Sequence, residues 1–419
     1  MLDIRLLRDD PEGIAKRLKD RNPEIDISEI IALDRRRLEL IREVEDLKAE
    51  RNRGSQEVGQ LKKEGKDASA LLERLGELAE RIDAYERELK EIEPRINDLL
   101  ARLPNLPHPS VPVGKKEEKV VVRSFGARPE FDFPVKHHLE IGEEKGILDF
   151  RRAAMIAGAR FPMYIGMGAV LEMALIQFMF MFHVRNGYTP VFPPFLANAE
   201  SFYVSSQLPK FADQIYHCEK DDLYLNPTAE SLLANLHRDE ILSADELPKN
   251  YVAYTPCFRR EAGTYGEEER GLIRVHQFNK VELFKYTTPE TSYQELDALV
   301  QEAEGVLQAL RIHYRVVILP TQDLAQQSSK TIDIEVYLPG QGRYYEVSSC
   351  SNCEEFQARR GKVRYRPSPK EKPRYVHTLN GSGVATSRLM AAILENNQLP
   401  DGRIKIPEVL QEAVGAEYL

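Results

Sequence analysis

Apolar residues recur at heptad spacing between residues 30 and 99, and this repeat constrains the fold more than any other feature of the sequence. It has two halves, separated by a charged segment that contains Gly65. Its members are Ile30, Leu33, Leu40, Val44 and Leu47, then Leu71, Leu75, Leu78, Ile82, Tyr85, Leu89, Ile92, Ile96 and Leu99. Alternating spacings of three and four residues are typical of coiled-coil helices. The sequence therefore predicts an antiparallel two-helix arm, roughly 50 Å long at about 1.5 Å per residue, with a kink at Pro94.

The function of such an arm must lie in its reach, because two helices alone cannot enclose a globular core. Basic side chains are frequent on the predicted first helix and near the turn: Arg35, Arg36, Arg37, Arg42, Arg51, Arg53, Lys62 and Lys63. Two interpretations stay open for them. They pair with the abundant glutamates of the arm, or some of them contact RNA phosphates, in which case binding would weaken with salt.

A proline-dense segment, residues 103–112, follows the repeat, and after it short apolar runs, glycines and aromatic residues replace the helical pattern. Prolines at this density end helices and mark loops. The sequence predicts an α+β protein in three parts. These are an N-terminal domain with the arm over residues 1–103, a proline-rich linker over residues 104–115 and a second domain over residues 116–419.

The net charge is −9, from 58 Lys and Arg against 67 Asp and Glu. A contact with nucleic acid therefore needs a local basic patch, because the overall field is unfavourable. The N-terminus carries charges where a signal peptide would be apolar. The most apolar run, residues 169–184, is interrupted by Glu172 and Gln177 and is too short to span a bilayer. We therefore expect a soluble, cytoplasmic protein with no membrane partner.

The cysteines do not form a complete set of metal ligands. Cys350 and Cys353 make one C-x-x-C pair, but no second pair or nearby histidine completes a four-ligand zinc site. We expect reduced thiols in a cytoplasmic protein and no bound zinc.

The segment from Thr255 to Phe284 has the pattern of a β-hairpin with charged residues on one face. Residues 255–262 predict the first strand, on which Arg259 and Glu261 point to the same side because side chains in a strand alternate. A polar loop is expected next. Its residues are Gly263, Gly266 and Glu267–Arg270.

The second strand of this hairpin, Leu272–Phe284, carries Phe278 and Glu282 on one face. A ring can stack on a base, a carboxylate can hold an ammonium group, and a guanidinium can bind phosphate. The hairpin therefore suits an aminoacyl adenylate, although the same pattern also arises in hairpins whose charges are simply solvated.

This hairpin resembles the second signature motif of class II aminoacyl-tRNA synthetases, and in detail that of the seryl-tRNA synthetases. The match is carried by Pro256–Arg259, Glu261–Gly263, Arg270–Arg274, His276–Phe278 and Lys280–Glu282. The resemblance extends over nearly the whole chain. It implies a class II catalytic domain, built on an antiparallel sheet flanked by helices, behind an N-terminal arm that binds tRNA.

The resemblance also implies an activity. Members of this family use ATP to activate L-serine as seryl-adenylate and transfer it to the 3′ end of tRNA(Ser), and they also charge tRNA(Sec). Two rival interpretations are weighed against it. One is a catalytically inactive paralogue that binds RNA or has a structural role; the other is a truncated relative that charges a carrier protein, although such proteins lack a long arm.

Two further segments resemble the other class II motifs. A dense apolar helix over residues 168–186, followed by residues 187–194, resembles the first motif, which family members use as the interface of a homodimer. An ordinary core helix would have the same composition. Residues 378–383 and Arg388 resemble the third motif, a turn that leads into a helix.

The resemblance assigns roles to individual residues. It makes Arg259, Glu346 and Arg388 catalytic, with the two arginines on the α-phosphate and on the outer phosphates. The residues expected to contact ATP are Arg259, Arg260, Glu261, Val275, Phe278, Glu346, Val347, Ser348, Ser349 and Arg388. Mg²⁺ is expected on Glu346 and Ser349, because this ion prefers hard oxygen ligands. The residues expected to contact serine are Thr228, Ala229, Glu230, Glu282, Asn380 and Ser382.

Local patterns give three further expectations. Residues 344–349 predict a strand with Glu346 and Ser348 on one face. Residues 231–242 predict a helix after the segment Thr228–Glu230. One stretch departs from the family pattern: Gln322 stands where glycine is usual, and Ala325–Ser329 is also unusual, so the loop geometry there stays open.

Overall fold

The computed structural model describes residues 1–262 and 271–419, and the chain divides into two compact units. Residues 2–103 form a helical unit, and Met1 with residues 104–419 forms a large unit. The polar loop expected at Gly263, Gly266 and Glu267–Arg270 lies outside the described residues.

The helical unit is dominated by a long antiparallel helical pair. Its helices are α1 (Ile4–Asp9), α2 (Pro11–Arg21), α3 (Ser28–Lys63) and α4 (Ser69–Arg102). Between α3 and α4 the chain turns through Gly65, whose φ of +70° suits a glycine. Val44, Leu47, Leu78 and Ile82 are buried against one another in the seam, as the heptad pattern predicts. The two-helix arm is therefore confirmed, and α4 continues through Pro94.

Only some of the charged side chains of the arm form ion pairs. Arg36 contacts Glu88 at 2.7 Å, and Lys48 contacts Glu86 at 2.6 Å, each across the two helices. Exposed pairs of this kind contribute little to stability, typically about 0–1 kcal/mol. Within the described residues no ion pair engages the basic side chains Arg35, Arg42, Arg51, Arg53, Lys62 and Lys63.

The large unit combines one wide sheet with helices. Its strands are β1 (Val120–Phe125), β2 (Thr189–Val191), β3 (Leu196–Asn198), β4 (His217–Cys218), β5 (Leu223–Leu225), β6 (Ile241–Ser243), β7 (Lys249–Phe258), β8 (Gln277–Thr287), β9 (Tyr314–Ile318), β10 (Lys330–Leu338), β11 (Arg343–Asn352), β12 (Arg364–Arg366), β13 (Arg374–Tyr375) and β14 (His377–Ala385). Its helices are α5 (His138–Glu144), α6 (Phe150–Ala157), α7 (Met167–Arg185), α8 (Ala199–Val204), α9 (Glu230–Leu233), α10 (Ser292–Ala309), α11 (Phe356–Gly361), α12 (Thr386–Asn396) and α13 (Glu408–Val414).

Eight strands form the main sheet, in the order β1-β9-β10-β11-β14-β8-β7-β2. Neighbouring strands are antiparallel except for β2, which runs parallel to β7. The expected α+β fold with an antiparallel sheet is thus confirmed. Both faces of the central strands are covered, since β8 is buried from Lys280 to Thr287.

The strand pattern of β8 separates the core from a polar face. Val281 and Leu283 belong to the main hydrophobic cluster, together with residues of α7, α10 and α12. Lys280 and Glu282 alternate with them and therefore point to the other side of the sheet. Glu282 lies opposite Ser382 on β14 and Ala253 on β7.

Helix α7 is the one helix in the described ranges that is long and apolar enough to cross a membrane by length and composition alone. In the structure it packs on β7, β8, α10, α12 and α13, and its residues Leu171, Leu175 and Met179 are fully buried in the main cluster. Burial in the core therefore accounts for the apolar residues on one side of this helix.

Three local expectations were wrong. The first strand of the hairpin ends at Phe258, and Glu261 has a φ of +47°, so Arg259 and Glu261 do not share a strand face. The second strand begins at Gln277, after a 3₁₀ turn at Gly271–Ile273. The helix expected over residues 231–242 stops at Leu233, because residues 241–243 pair in parallel with β12 as strand β6.

Candidate functional site

A cavity of about 730 Å³ opens on the polar face of the main sheet. It brings together residues from β8, β10, β11, β14 and α12 with the segments around residues 228, 259 and 325. Ten of the expected site residues line it: Thr228, Glu230, Arg259, Glu261, Glu282, Glu346, Ser349, Asn380, Ser382 and Arg388. Residues separated by up to 160 positions in the sequence thus share one polar space.

Arg259 lies just beyond the end of β7. Its Nε donates to the carbonyl of Pro227 at 3.2 Å, and its guanidinium carbon lies 5.1 Å from the centre of the Phe278 ring. A cation over an aromatic face is attracted by the ring quadrupole. The guanidinium is therefore held at the cavity wall by one carbonyl and one ring.

Arg388 extends from the first turns of α12 and meets Glu346 on β11. Its Nη1 lies 2.5 Å from Glu346 Oε2 and 2.6 Å from the carbonyl of Glu346. Its Nε donates to the carbonyl of Ile273 at 3.1 Å. The guanidinium is fixed by three acceptors on two different segments.

A β-bulge in β11 decides which side chains face the cavity. Ser348 lies opposite Ile334 and Glu346 lies opposite Glu335, so Val347 is an extra residue in the ladder. As a result Glu346 and Ser349 line the cavity, whereas Ser348 turns away and donates to the carbonyl of Ser382 at 2.6 Å. The expectation that Glu346 and Ser348 share a face was wrong because strict alternation does not hold across a bulge.

Five other expected residues do not line the cavity. Phe278 is one of them, although its ring lies beside the Arg259 guanidinium. Val347 is buried in the main cluster, and Ala229 is buried in the cluster beneath β7 and β8. Val275 is also buried. Arg260 Nε donates to the carbonyl of Ile215, and its guanidinium carbon lies 4.7 Å from the centre of the Tyr216 ring.

The opposite part of the cavity is rich in carboxylates. Lys280 Nζ lies 2.5 Å from Glu282 Oε2 and donates to Thr228 Oγ1 at 2.7 Å. Burial raises the pKa of Glu282, and the Lys280 ammonium opposes that rise. Burial and the neighbouring Glu282 carboxylate raise the pKa of Glu230 to about 7. A cationic ligand in this space would be stabilised by two acidic groups.

Two segments of the chain match models of known protein families. Residues 1–107 match the model of the seryl-tRNA synthetase N-terminal domain, and residues 214–397 match that of the tRNA synthetase class II core domain (G, H, P, S and T). A serine–tRNA ligase of Syntrophobacter fumaroxidans is 51% identical over 417 residues, which cover 99% of each chain. One from Thermodesulfovibrio yellowstonii is 50% identical, with 100% of both chains covered.

The chain belongs to the seryl-tRNA synthetase family.

Solved structures of the family agree with this membership. The seryl-tRNA synthetase from Pyrococcus horikoshii complexed with ATP has a TM-score of 0.96 at 40% identity, covering 100% of this chain and 99% of that chain. The cytoplasmic serine–tRNA ligase from Naegleria fowleri in complex with AMP has a TM-score of 0.89 at 29% identity, covering 100% and 98%. The resemblance inferred from the hairpin is thus confirmed over the full length.

Several residues of the cavity were not among the expected site residues, and Lys280, Asp333 and Gln327 are three of them. Lys280 could have been found, because it lies two positions from Glu282 on the same strand face. Asp333 pairs with Ser349 across β10 and β11, which only the register shows. Gln327 lies in the stretch that departs from the family pattern and had no signal of its own.

His138, His137 and Glu395 form the one group of three potential metal ligands found in the described part of the chain. Both ring nitrogens of His138 are used: Nδ1 lies 2.7 Å from Glu395 Oε1, and Nε2 accepts the N–H of Leu272 at 3.1 Å. The buried pair therefore holds the turn Gly271–Ile273. Since the carbonyl of Ile273 accepts from Arg388, this turn also positions a cavity residue.

Gly271 makes this arrangement possible, and replacing it should be costly. Its φ is +69°, and a Cβ there would lie 2.4 Å from His138 Nε2 and 2.8 Å from Leu139 Cγ. We expect Gly271→Ala to lower the free energy of unfolding by about 1–3 kcal/mol more than a strain-matched control. Gly342→Ala is that control, since its φ is +68° with no heavy atom within 4 Å of the new Cβ. Urea denaturation of both variants measures the difference; equal losses would contradict the role given to His138.

Proposed function

We propose that the cavity binds ATP and L-serine and joins them as seryl-adenylate. As a member of the seryl-tRNA synthetase family, the chain is a serine–tRNA ligase. The observation that carries the proposal is the sharing of one cavity by Arg259 and Arg388, suited to phosphates, and by Glu282 and Glu230, suited to an ammonium group and a hydroxyl. The inactive paralogue is disfavoured because the side chains whose loss would favour it are all present, namely Arg259, Glu282, Glu346 and Arg388.

The chemistry needs positioning more than proton transfer. A carboxylate oxygen of serine attacks the α-phosphorus in line, the bond to the bridging oxygen breaks, and pyrophosphate leaves with the electron pair. Arg259 is assigned to the α-phosphate and Arg388 to the outer phosphates, where fixed charges stabilise the charge that develops. The Phe278 ring is assigned to stacking on the base. Glu261, Arg260, Val275, Val347 and Ser348 are kept as proposed neighbours of ATP.

The donor set beside Arg388 suits Mg²⁺. Glu346 and Ser349 offer oxygen atoms to the cavity, and Asp333 stands beside Ser349 in the register. Burial and the neighbouring carboxylates raise the pKa of Asp333 well above its usual range, and its Oδ1 has no hydrogen-bond partner among the described residues. A divalent cation would relieve this excess of negative charge. When bound, it would neutralise phosphate oxygens, with Glu346 and Ser349 as its proposed ligands.

Serine is proposed to lie between Glu282 and Glu230. Glu282 is assigned to its α-ammonium group, and Thr228, Glu230, Asn380 and Ser382 to the neighbourhood of its side chain. A pocket built to hydrogen-bond a hydroxyl discriminates strongly against alanine, because buried polar groups would be left unpaired. Threonine would be excluded by size, and Ala229 lies buried beneath this part of the site.

Binding of the tRNA substrate is assigned to the arm. The unpaired basic residues of α3 include Arg42 and Arg53, which are exposed, and Lys62 and Lys63 near the turn. They are proposed to supply the local positive charge that a chain of net charge −9 requires. We propose tRNA(Ser) as the substrate in the cytoplasm, with tRNA(Sec) as a further candidate.

A homodimer is proposed through the outer face of α7. Met173 on this helix is 64% exposed, and Phe192, which follows β2, is 77% exposed. Together with Val170, Phe180 and Ala413 among other residues, they line an apolar groove of about 660 Å³. Exposed apolar surface of this kind is typical of an interface. A second copy of the chain, as in the first class II motif, is its proposed occupant.

The activation step is tested by serine-dependent ATP–pyrophosphate exchange. We expect Glu282→Gln to raise the KM for serine by about 10- to 100-fold, because a hydrogen bond to a charged group contributes about 1.5–3 kcal/mol. Glu304→Gln is the matched control: it removes a buried carboxylate that pairs with Arg123 and does not line the cavity. Wild-type protein without serine-dependent exchange would refute the proposed activity.

The assignment of the arm is tested by deleting residues 30–100. Exchange should stay within about threefold of wild type, because the cavity is built wholly from the large unit. Charging of tRNA(Ser) should fall by at least about 100-fold, since the phosphate contacts that supply affinity would be lost. Comparable charging by the deleted and intact proteins would show that the arm is not needed.

The dimer is tested by Met173→Glu, which places a charge in the proposed interface. Sedimentation velocity should show a dimer for the wild type and a shift towards monomer for the variant, since an unpaired buried charge is costly. Leu72→Glu, at an exposed position of α4, is the control and should leave the dimer intact. A monomeric wild type would refute the proposed dimer, and a dimer that resists Met173→Glu would place its interface elsewhere.

A further inference from the structure

The stretch Ala325–Ser329, which departs from the family pattern, reaches the cavity through Gln327. The Gln327 side chain is buried, and its Nε2 donates to Glu230 Oε1 at 2.9 Å. Its neighbour Gln326 is also buried, but the Gln326 side chain accepts from Lys210 and does not line the cavity. Only the second of the two glutamines therefore touches the proposed serine site.

Two further amides reach the same oxygen of Glu230. Gln357 Nε2 donates to Oε1 at 2.7 Å, and Asn380 Nδ2 donates to it at 3.1 Å. The orientation of the Gln357 amide is fixed, because Thr378 Oγ1 donates to its oxygen at 2.7 Å. We name Gln327, Gln357 and Asn380 the amide clamp.

The amide clamp leaves the second oxygen of Glu230 available to a ligand. Across residues 1–262 and 271–419 no hydrogen bond reaches Oε2, while Glu230 itself lines the cavity. Hydrogen bonds from N–H donors favour the ionised form of a carboxylate and oppose the effect of burial. The Gln357 and Gln327 amides lower the pKa of Glu230 in this way, against burial and Glu282, which raise it.

Asn105, in the proline-dense segment, holds the backbone that carries the clamp. Its N–H donates to the carbonyl of Gln326 at 2.8 Å, and its Nδ2 donates to the carbonyls of Gln327 and Cys353, each at 2.9 Å. Its Oδ1 accepts the N–H of Leu106. Cys353 Sγ in turn lies 3.4 Å from Asn380 Nδ2. Asn105 is buried, so each polar atom of its amide is used inside the protein.

We propose that Gln327 determines specificity for the amino-acid substrate, and that Asn105 is the positioning residue that places it. The amide clamp fixes Glu230 Oε1, so that Oε2 accepts a hydrogen bond from the hydroxyl of serine in one geometry. This assignment rests on the proposed function, in which Glu230 faces the substrate side chain. It adds a residue to the pocket in a stretch where the family pattern gives no expectation.

Gln327→Met tests the clamp, because methionine keeps the length of the side chain and removes the donor. In serine-dependent ATP–pyrophosphate exchange we expect the KM for serine to rise by about 10- to 100-fold. The KM for ATP should stay within about twofold, which also shows that the protein is folded. The preference for serine over alanine, measured as the ratio of kcat/KM values, should fall by a similar factor.

Gln326→Met is the matched control, since it makes the same change one position away at an equally buried glutamine. Its KM for serine should stay within about twofold of wild type. Gln327→Glu is a second variant that keeps the shape of the side chain, replaces the donor with an acceptor and brings a further carboxylate to Glu230. It should raise the KM for serine at least as much as Gln327→Met.

A double-mutant cycle tests the role of Asn105. Asn105→Ala should raise the KM for serine by about 5- to 50-fold and leave the KM for ATP near the wild-type value. Combined with Gln327→Met, its effect should be smaller than the product of the two single effects, because both act through one contact. A purely structural role would change both KM values together and give independent effects.

The outcomes separate this inference from the proposed function. Wild-type protein without serine-dependent exchange would overturn both. Wild-type exchange with an unchanged KM for serine in Gln327→Met and Gln327→Glu would overturn the clamp alone. An equal rise in Gln326→Met would also overturn it, since the effect would then come from the loop and not from the contact with Glu230.

Discussion

The pairing of buried charges in one cavity is the constraint on which the rest of the large unit depends. A carboxylate or guanidinium taken out of water is costly unless partners replace its hydration. Buried Glu282 has Lys280, and buried Glu230 has three amides; the half-buried Arg388 has Glu346. Glu346 and the three amides come from other elements than the groups they contact, so the sheet must keep its register for the cavity to exist. The buried helices on the far side of β8 serve this requirement, because they hold Val281 and Leu283 in place.

Much of this arrangement was accessible from the sequence, and the reason is local periodicity. The heptads of residues 30–99 predict α3 and α4, and alternation in the hairpin predicts the face that carries Glu282. Motif resemblance supplied what periodicity could not, namely that Arg388 and Thr228 belong to the same site. The errors arose where a single residue breaks a period. Val347 is an extra residue in β11, Glu261 has a positive φ, and a helix expected after Glu230 gives way to strand β6. Such breaks are set by tertiary pairing and carry no clear signal in the sequence.

The residues that sequence reasoning missed share a physical character. Asp333 and Gln327 act across strands or loops, and their partners are defined by register and by backbone contacts. The amide of Asn105 binds backbone carbonyl groups, which every residue possesses. No side-chain pattern in the sequence could therefore have predicted this contact. Segments outside the signature motifs therefore contribute to the site through the backbone. His138 acts similarly when it holds the N–H of Leu272 and thereby the carbonyl that binds Arg388.

These backbone anchors suggest why the two ends of the cavity can be tuned separately. The proposed phosphate end depends on the turn Gly271–Ile273 and on α12, whereas the proposed amino-acid end depends on the amide clamp and on residue 105. The two sets of contacts share no hydrogen bond in the described residues. Interactions that share no partner usually contribute additively, whereas those in one network do not. If the proposed roles hold, a substitution in the loop around Gln327 alters the choice of amino acid without disturbing Arg388, which is proposed to meet the nucleotide. That separation would let the contacts around Gln327 change while the proposed chemistry at the phosphates is retained.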